Sequence, residues 1–258
     1  MSRDRILIEA CVDSIESALA AQTGGADRVE LCDNLIEGGT TPSAGTIAAC
    51  RARLRIPVFS LIRARGGDFL FSEAEQDAML RDIAVARDLG ADGVVIGALQ
   101  PDGTVDVDRT RELVEAARPM AVTFHRAFDF CRDSTLALET LIILGVDRVL
   151  SAGSAPTARE GASMLATLVR HAAGRIIILA GGSIDETSVR SVVSRTGVKE
   201  VHVRATSPLA SLMQHRNTKV TIGKAYTPDD YTRMVTNPDR IRQIASVLET
   251  VPLKTVKR

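Results

Sequence analysis

The chain has 258 residues, 45% of them hydrophobic and 25% charged, with 32 Lys and Arg balanced by 32 Asp and Glu. That length buries a full domain core, and the balanced charge points to no polyanionic partner. Aromatic residues are 3% with no Trp, too few stacking surfaces for single-stranded nucleic acid, and the longest uncharged run, Gly38 to Cys50, is 13 residues, short of the roughly 20 that span a bilayer.

The reading is therefore a protein with no nucleic-acid and no membrane partner. The charged N-terminus leads into only six strand-like residues, too few for the apolar region of a secretory signal. Cys11, Cys32, Cys50 and Cys131 have no CxxC spacing, so a cytoplasmic protein with reduced thiols is expected.

In chain order, β-branched runs predict strands at Ile6–Cys11, Arg28–Cys32, Pro57–Arg63, Gly93–Ala98, Met120–His125, Arg148–Ser151, Ile176–Ala180 and Glu200–Arg204. Helical periodicity lies between them. Asp13 or Ser14 opens the first helix and Gly24-Gly25 closes it; Ser72 opens Glu73 to Leu89; Gly145 closes Leu136 to Leu144; a last helix runs from Asp239 to Leu248. A Gly, Ala or Val, Asp turn recurs at Gly25, Gly90 and Gly145, and strand starts repeat about every 28 residues, the length of one βα unit. Eight such units without a GxGxxG after the first strand predict a single-domain (β/α)8 TIM barrel over 1–258. Residues 206–235 read as an irregular excursion after strand eight, a functional segment or an interface arm.

Alternation within the strands then selects the interior. If Ile8 and Ala10, Val29 and Leu31, Val122 and Phe124, and Val201 and Val203 face the helices, then Glu9, Cys11, Arg28, Glu30, Cys32, Thr123, His125, His202 and Arg204 face inward. Barrel chemistry sits at the carboxyl ends of the strands. Candidate acid, base and orienting groups are Glu9, Glu30, Arg63, His125, Arg126, Asp129 and His202, because unpaired buried carboxylates are costly and these partners converge on one mouth.

Candidate substrate contacts are Arg65 and Asp68 in the Arg63-Ala-Arg-Gly-Gly-Asp loop and Arg204 on strand eight. Ser151 and Gly153 after strand six join Gly181 and Gly182, which open a helix after strand seven, in a phosphate-binding type of corner. The five lysines, at 199, 219, 224, 254 and 257, avoid strand ends, which argues against a Schiff base. Cys11 and Cys32 occupy equivalent interior positions on neighbouring strands, where two thiolates could hold a soft monovalent metal or simply fill core.

The runs Glu9-Ala-Cys-Val-Asp-Ser, Gly24-Gly-Ala-Asp-Arg-Val-Glu-Leu-Cys32, Glu37-Gly-Gly-Thr-Thr-Pro-Ser43, Ile62-Arg-Ala-Arg-Gly-Gly-Asp-Phe69, Gly90-Ala-Asp-Gly-Val-Val-Ile-Gly-Ala98, Thr123-Phe-His-Arg-Ala-Phe-Asp129 and Gly181-Gly182 closely resemble the copper homeostasis protein CutC family, over residues 6 to about 223. The resemblance implies a cytoplasmic TIM barrel, a homodimer or higher homo-oligomer, and Cu(I) bound at Cys11 and Cys32. Ala64 stands where the family pattern has Pro, Ser183 where it has a third Gly, and Arg204 where a small residue follows the strand-eight His. Beside this copper reading stands an enzyme reading from the residues themselves: an isomerase or lyase using Glu and His acid–base chemistry on a small polyhydroxylated or anionic substrate.

Overall fold

The computed structural model describes residues 5–222 and 229–252. Eight parallel strands, β1 (Leu7–Val12), β2 (Arg28–Leu31), β3 (Val58–Leu61), β4 (Gly93–Ile96), β5 (Ala121–Phe124), β6 (Arg148–Ser151), β7 (Ile177–Ala180) and β8 (Glu200–Val203), close into a barrel in chain order. The seam pairs β1 with β8, setting Glu9 opposite His202 and Leu7 opposite Glu200. The outer layer is α1 (Ile15–Gly24), α2 (Ala44–Arg51), α3 (Glu73–Asp88), α4 (Val107–Ala117), α5 (Ser134–Ile143), α6 (Ala162–Ala172), α7 (Val189–Thr196) and α8 (Pro238–Glu249). This is the expected TIM barrel.

Local chemistry places the elements. Ser14 accepts from the Ser17 amide to start α1, Ser72 and Glu75 form a reciprocal capping box on α3, and Asp106, Asp133 and Asn237 cap α4, α5 and α8. The thrice-used turn has one mechanism. Gly25, Gly90 and Gly145 take φ of 94°, 81° and 75°, and the Asp two residues later accepts from a neighbouring strand's amide: Asp27 from Ile8, Asp92 from Val58, Asp147 from Val122, at 2.8–2.9 Å. An arginine pairs each one, Arg5, Arg51 and Arg118 respectively. The strand residues predicted to face the helices, Ile8, Ala10, Val29, Leu31, Val122, Phe124, Val201 and Val203, are all buried in the layer between sheet and helices.

Three expectations change. Cys11 and Cys32 are not level: Cys11 stands opposite Glu30, because barrel strands are staggered and equal counts from each strand start do not give equal heights. Strand eight ends at Val203, before Arg204, and Ala205 turns the chain at φ 47°. The segment after it is partly regular: β9 (Thr206–Ala210) and β10 (Thr232–Thr236) form an antiparallel pair, anchored where the Thr236 amide donates to Ser17 Oγ on α1 at 3.2 Å. Pro208 is tolerated because β9 is an edge strand. Residues 223–228 of the predicted excursion lie outside the described residues.

Candidate functional site

The barrel interior is charged from its amino-terminal layer upward. Arg28 Nε donates to Glu9 Oε2 at 2.5 Å and Arg28 Nη2 to Glu200 Oε2 at 2.8 Å, while Arg148 Nε donates to the same Glu200 oxygen at 2.7 Å. The two guanidinium groups also lie 4.8 and 5.5 Å from the centre of the Phe59 ring. Gly93 makes room for that ring, since a Cβ there would stand 2.7 Å from it. All four charged side chains are buried, so each depends on its partners for the solvation it has lost.

Above this ladder, Glu9 Oε1 holds His202 Nδ1 at 2.8 Å, and His202 Nε2 lies 3.7 Å from Glu30 Oε2. The Cys11 and Cys32 sulfurs are 3.9 Å apart, and ligand atoms of Cys11, Glu30 and Cys32 all lie within 4.8 Å of one another. Burial alone would raise the Glu9 carboxyl, but Arg28 and then His202 bring it down to about 2. Burial likewise works against a charged His202, yet its bonds to Cys11 and Glu9 raise it well above the usual imidazole range. The Cys32 thiol, donating to Cys11, is the main reason that Cys11 falls well below an ordinary thiol and Cys32 rises. Burial and then the Cys11 charge push Glu30 up. These directions fit a simple charge balance. Arg28, Arg148 and His202 are three cations facing two carboxylates, Glu9 and Glu200; with Cys11 lowered and Glu30 raised, the thiol is favoured over the carboxyl to carry the third negative charge.

The mouth opens into a cavity of about 380 Å³ whose walls include Cys11, Glu30, Arg63, His125, Arg126 and His202. His125 closes β5, where its Nδ1 accepts from the Ala127 amide at 3.1 Å. Burial first and Arg63 second lower its pKa to about 3. The ring is therefore neutral with its proton on Nε2, and that nitrogen has no hydrogen-bond partner among the described residues. Gly97 is what lets the ring lie there, because a Cβ would meet His125 Cε1 at 2.3 Å. Arg63 spends its terminal nitrogens on the carbonyls of Glu37, Gly39 and Gly67 at 2.6–2.9 Å, so it ties loop two to loop three instead of pairing with Glu9 or Glu30.

The remaining predicted residues separate from this cluster. Asp129 accepts from Ser151 Oγ at 2.6 Å, from the Ala152 and Ser154 amides at 3.0–3.1 Å and from Arg126 Nε at 2.7 Å. The Gly153 amide donates to Ser151 Oγ at 2.8 Å. Asp129 thus occupies the Ala152 and Ser154 amides of this corner, while the glycine amides expected to cradle a phosphate are used within the protein: that of Gly153 by Ser151 Oγ and that of Gly181 by the Ser151 carbonyl at 2.9 Å. Gly181 and Gly182 do not open a helix, since α7 starts at Val189; Gly181 instead spares the space beside Leu150 and His202. Arg65 pairs with Glu75 and Asp68 at the surface, and neither Arg65 nor Asp68 lines the cavity. Arg204 is exposed and lines a separate cavity with Asp13 and Asp33, because β8 ends one residue before it.

Sequence reasoning gave no role to Arg28, and it passed over Arg148, Glu200, Gly97 and Phe130. The parity that selects His202 also selects Glu200, and Leu150, on the cavity wall, shares its parity on β6 with Arg148; both charged residues begin their strands.

The CutC family description matches residues 6–222. A family protein CutC of Chromobacterium violaceum is 48% identical over 246 residues, covering 95% of this chain and 99% of that protein. The human copper homeostasis protein cutC homolog is 43% identical over 245 residues, covering 95% and 90%. Among solved structures, a copper homeostasis protein CutC from Streptococcus agalactiae is 34% identical with TM-score 0.74, covering 76% of this chain and 97% of that one. A phosphoribosylanthranilate isomerase from Thermotoga maritima, 12% identical with TM-score 0.56 over 95% of this chain, shares the fold.

Proposed function

The chain belongs to the CutC family, and from that premise we propose that it serves copper homeostasis by binding Cu(I) between Cys11 and Cys32. The observation carrying this is the buried thiol pair, 3.9 Å between sulfurs. Two metal–sulfur bonds of about 2.3 Å, the length known for zinc thiolates, reach across that gap, and soft thiolates select Cu(I). Charge supports the reading as well. Cu(I) replaces the Cys32 proton one for one, so the buried charge stays as it was, with His202 still beside the Cys11 sulfur. Relatives that carry the copper homeostasis name include the human protein.

Titration of the reduced protein with Cu(I) against a competing chelator tests this. One Cu(I) per chain is expected, with affinity lowered at least 100-fold in a Cys11→Ser, Cys32→Ser double variant; equal affinity in the two proteins overturns the assignment. Thiols that must stay reduced suit a cytoplasmic protein. Leu212 and Met213, 98% and 60% exposed beyond β9, suit a homo-oligomer, which light scattering on the purified chain would reveal by a mass at least twice that of one chain.

A further inference from the structure

Glu30 stands apart from the other carboxylates of the barrel interior. Glu9 and Glu200 are paired with Arg28 and Arg148, whereas Glu30 has no arginine partner among the described residues and lies 3.7 Å from His202 Nε2. It is nonetheless buried, 4% exposed, and a buried carboxylate needs a cation close by. The strand register explains what lies beside it. Cys11 on β1 is opposite Glu30 on β2, and Cys32, two residues further along, continues the same inward-facing parity. The ligand atoms of the three residues converge, all within 4.8 Å of one another. Cys11 and Glu30 also line the cavity, which gives an ion a path to them.

We propose that Cys11, Cys32 and Glu30 form a site for a divalent zinc ion, with the carboxylate as third ligand and the fourth position left to a ligand from the adjoining cavity. The sulfur separation fits: with two zinc–sulfur bonds of about 2.3 Å, 3.9 Å subtends about 116° at the metal, near the tetrahedral angle that zinc takes. The donors fit as well. Two sulfurs exclude the hard cations magnesium and calcium, while a glutamate oxygen is an ordinary zinc ligand. Charge then selects a divalent ion. Two thiolates and a carboxylate carry three negative charges; a divalent ion leaves one of them and a monovalent ion leaves two, and uncompensated charge in an interior is costly. His202, held by Glu9 at 2.8 Å and 3.7 Å from Glu30 Oε2, is placed to orient that carboxylate. Three protein ligands with an open fourth position is the arrangement of zinc sites that bind and polarise a further ligand. This site shares its two thiols with the copper reading but adds Glu30, and it does not depend on copper as cargo.

The test uses the reduced, metal-free full chain, titrated with Zn(II) against a chromophoric chelator and with Co(II) as a spectroscopic stand-in. One Zn(II) per chain is expected, and X-ray absorption of the zinc-loaded protein should show two sulfur neighbours together with oxygen. Co(II) should give the intense visible bands of a tetrahedral thiolate site, and azide should shift them by taking the fourth position. Glu30→Gln, which keeps the shape of the side chain, should weaken Zn(II) about tenfold or more while leaving Cu(I) affinity unchanged. The wild-type spectra decide the matter even where a variant fails to fold. Zinc held as tightly by Glu30→Gln as by wild type, fewer than two sulfurs around the zinc, or cobalt bands that ignore azide overturns the proposal. A wild-type protein that binds Zn(II) in this way and not Cu(I) supports the site and removes the copper reading; one that binds Cu(I) and not Zn(II) does the reverse.

Discussion

Replacing Glu200 by Gln tests the buried ladder directly. Glu200 accepts from Arg28 Nη2 at 2.8 Å and from Arg148 Nε and Nη2 at 2.7 and 3.3 Å. Gln keeps one acceptor oxygen and turns an NH2 group toward a guanidinium. Arg28 retains Glu9, but among the described residues Arg148 has no second carboxylate and its Nη1 has no partner. Breaking one side of a buried pair costs about 3–5 kcal/mol, which for a chain of this size lowers Tm by roughly 6–20 °C. Urea denaturation with linear extrapolation reads the loss as a fall in midpoint at constant slope. Adding Arg148→Met to Glu200→Gln removes the stranded cation, so the double variant should be more stable than Glu200→Gln alone. A Glu200→Gln protein within about 1 kcal/mol of wild type, or a double variant that loses the sum of both single changes, refutes the reasoning.

Acid should destabilise the protein in two stages. Below pH 6.5 an unfolded His125 takes a proton that the folded ring, with its pKa near 3, refuses; stability falls with pH, by about 2 kcal/mol between 6.5 and 4.5. Below about 4.5 the stability held by Glu9, whose folded pKa is about 2, begins to go as well. His125→Gln should flatten the first stage, and parallel stability–pH curves for the two proteins would contradict the assignment. Asp129→Ala should cost about 2–3 kcal/mol by freeing the Ala152 and Ser154 amides and Ser151 Oγ. It should also create an anion site, so that inorganic phosphate raises the Tm of this variant and not of wild type; equal response in both sinks the argument that Asp129 stands in for phosphate.

The barrel and the ionic character of its mouth are legible in the chain because period-2 alternation needs only local sequence. Glu9, Glu30, His125 and His202 follow from outward-facing Ile8, Val29, Val122 and Val201. Height along the barrel is different: the offset that sets Cys11 opposite Glu30 comes from closing eight tilted strands, a property of the ring and of no single segment. Arg63 illustrates a second limit. Its position at the end of a strand suggested a partner for a carboxylate, but loop two brings three carbonyl oxygens to it, and loop conformation is not written in periodicity. The same holds for Asp129, whose carboxylate replaces the anion that the glycine-rich corner suggested.

The seam between the first and eighth strands of the barrel ties the thiol pair to a segment made much later in synthesis. A ribosome delivers Cys11 and Cys32 well before His202, the partner of Glu9 across 193 positions, which follows Cys32 some 170 residues later. At about 5–20 residues per second the nascent chain carries those thiols for roughly 10–30 seconds without the His202 ring that contributes to lowering Cys11. During that interval both are ordinary thiols, largely protonated at neutral pH and weak ligands for metal. Cys32 is the larger influence on Cys11, and His202 adds to it only when β8 docks, so the chemistry that could capture a soft ion is completed by the same event that closes the barrel.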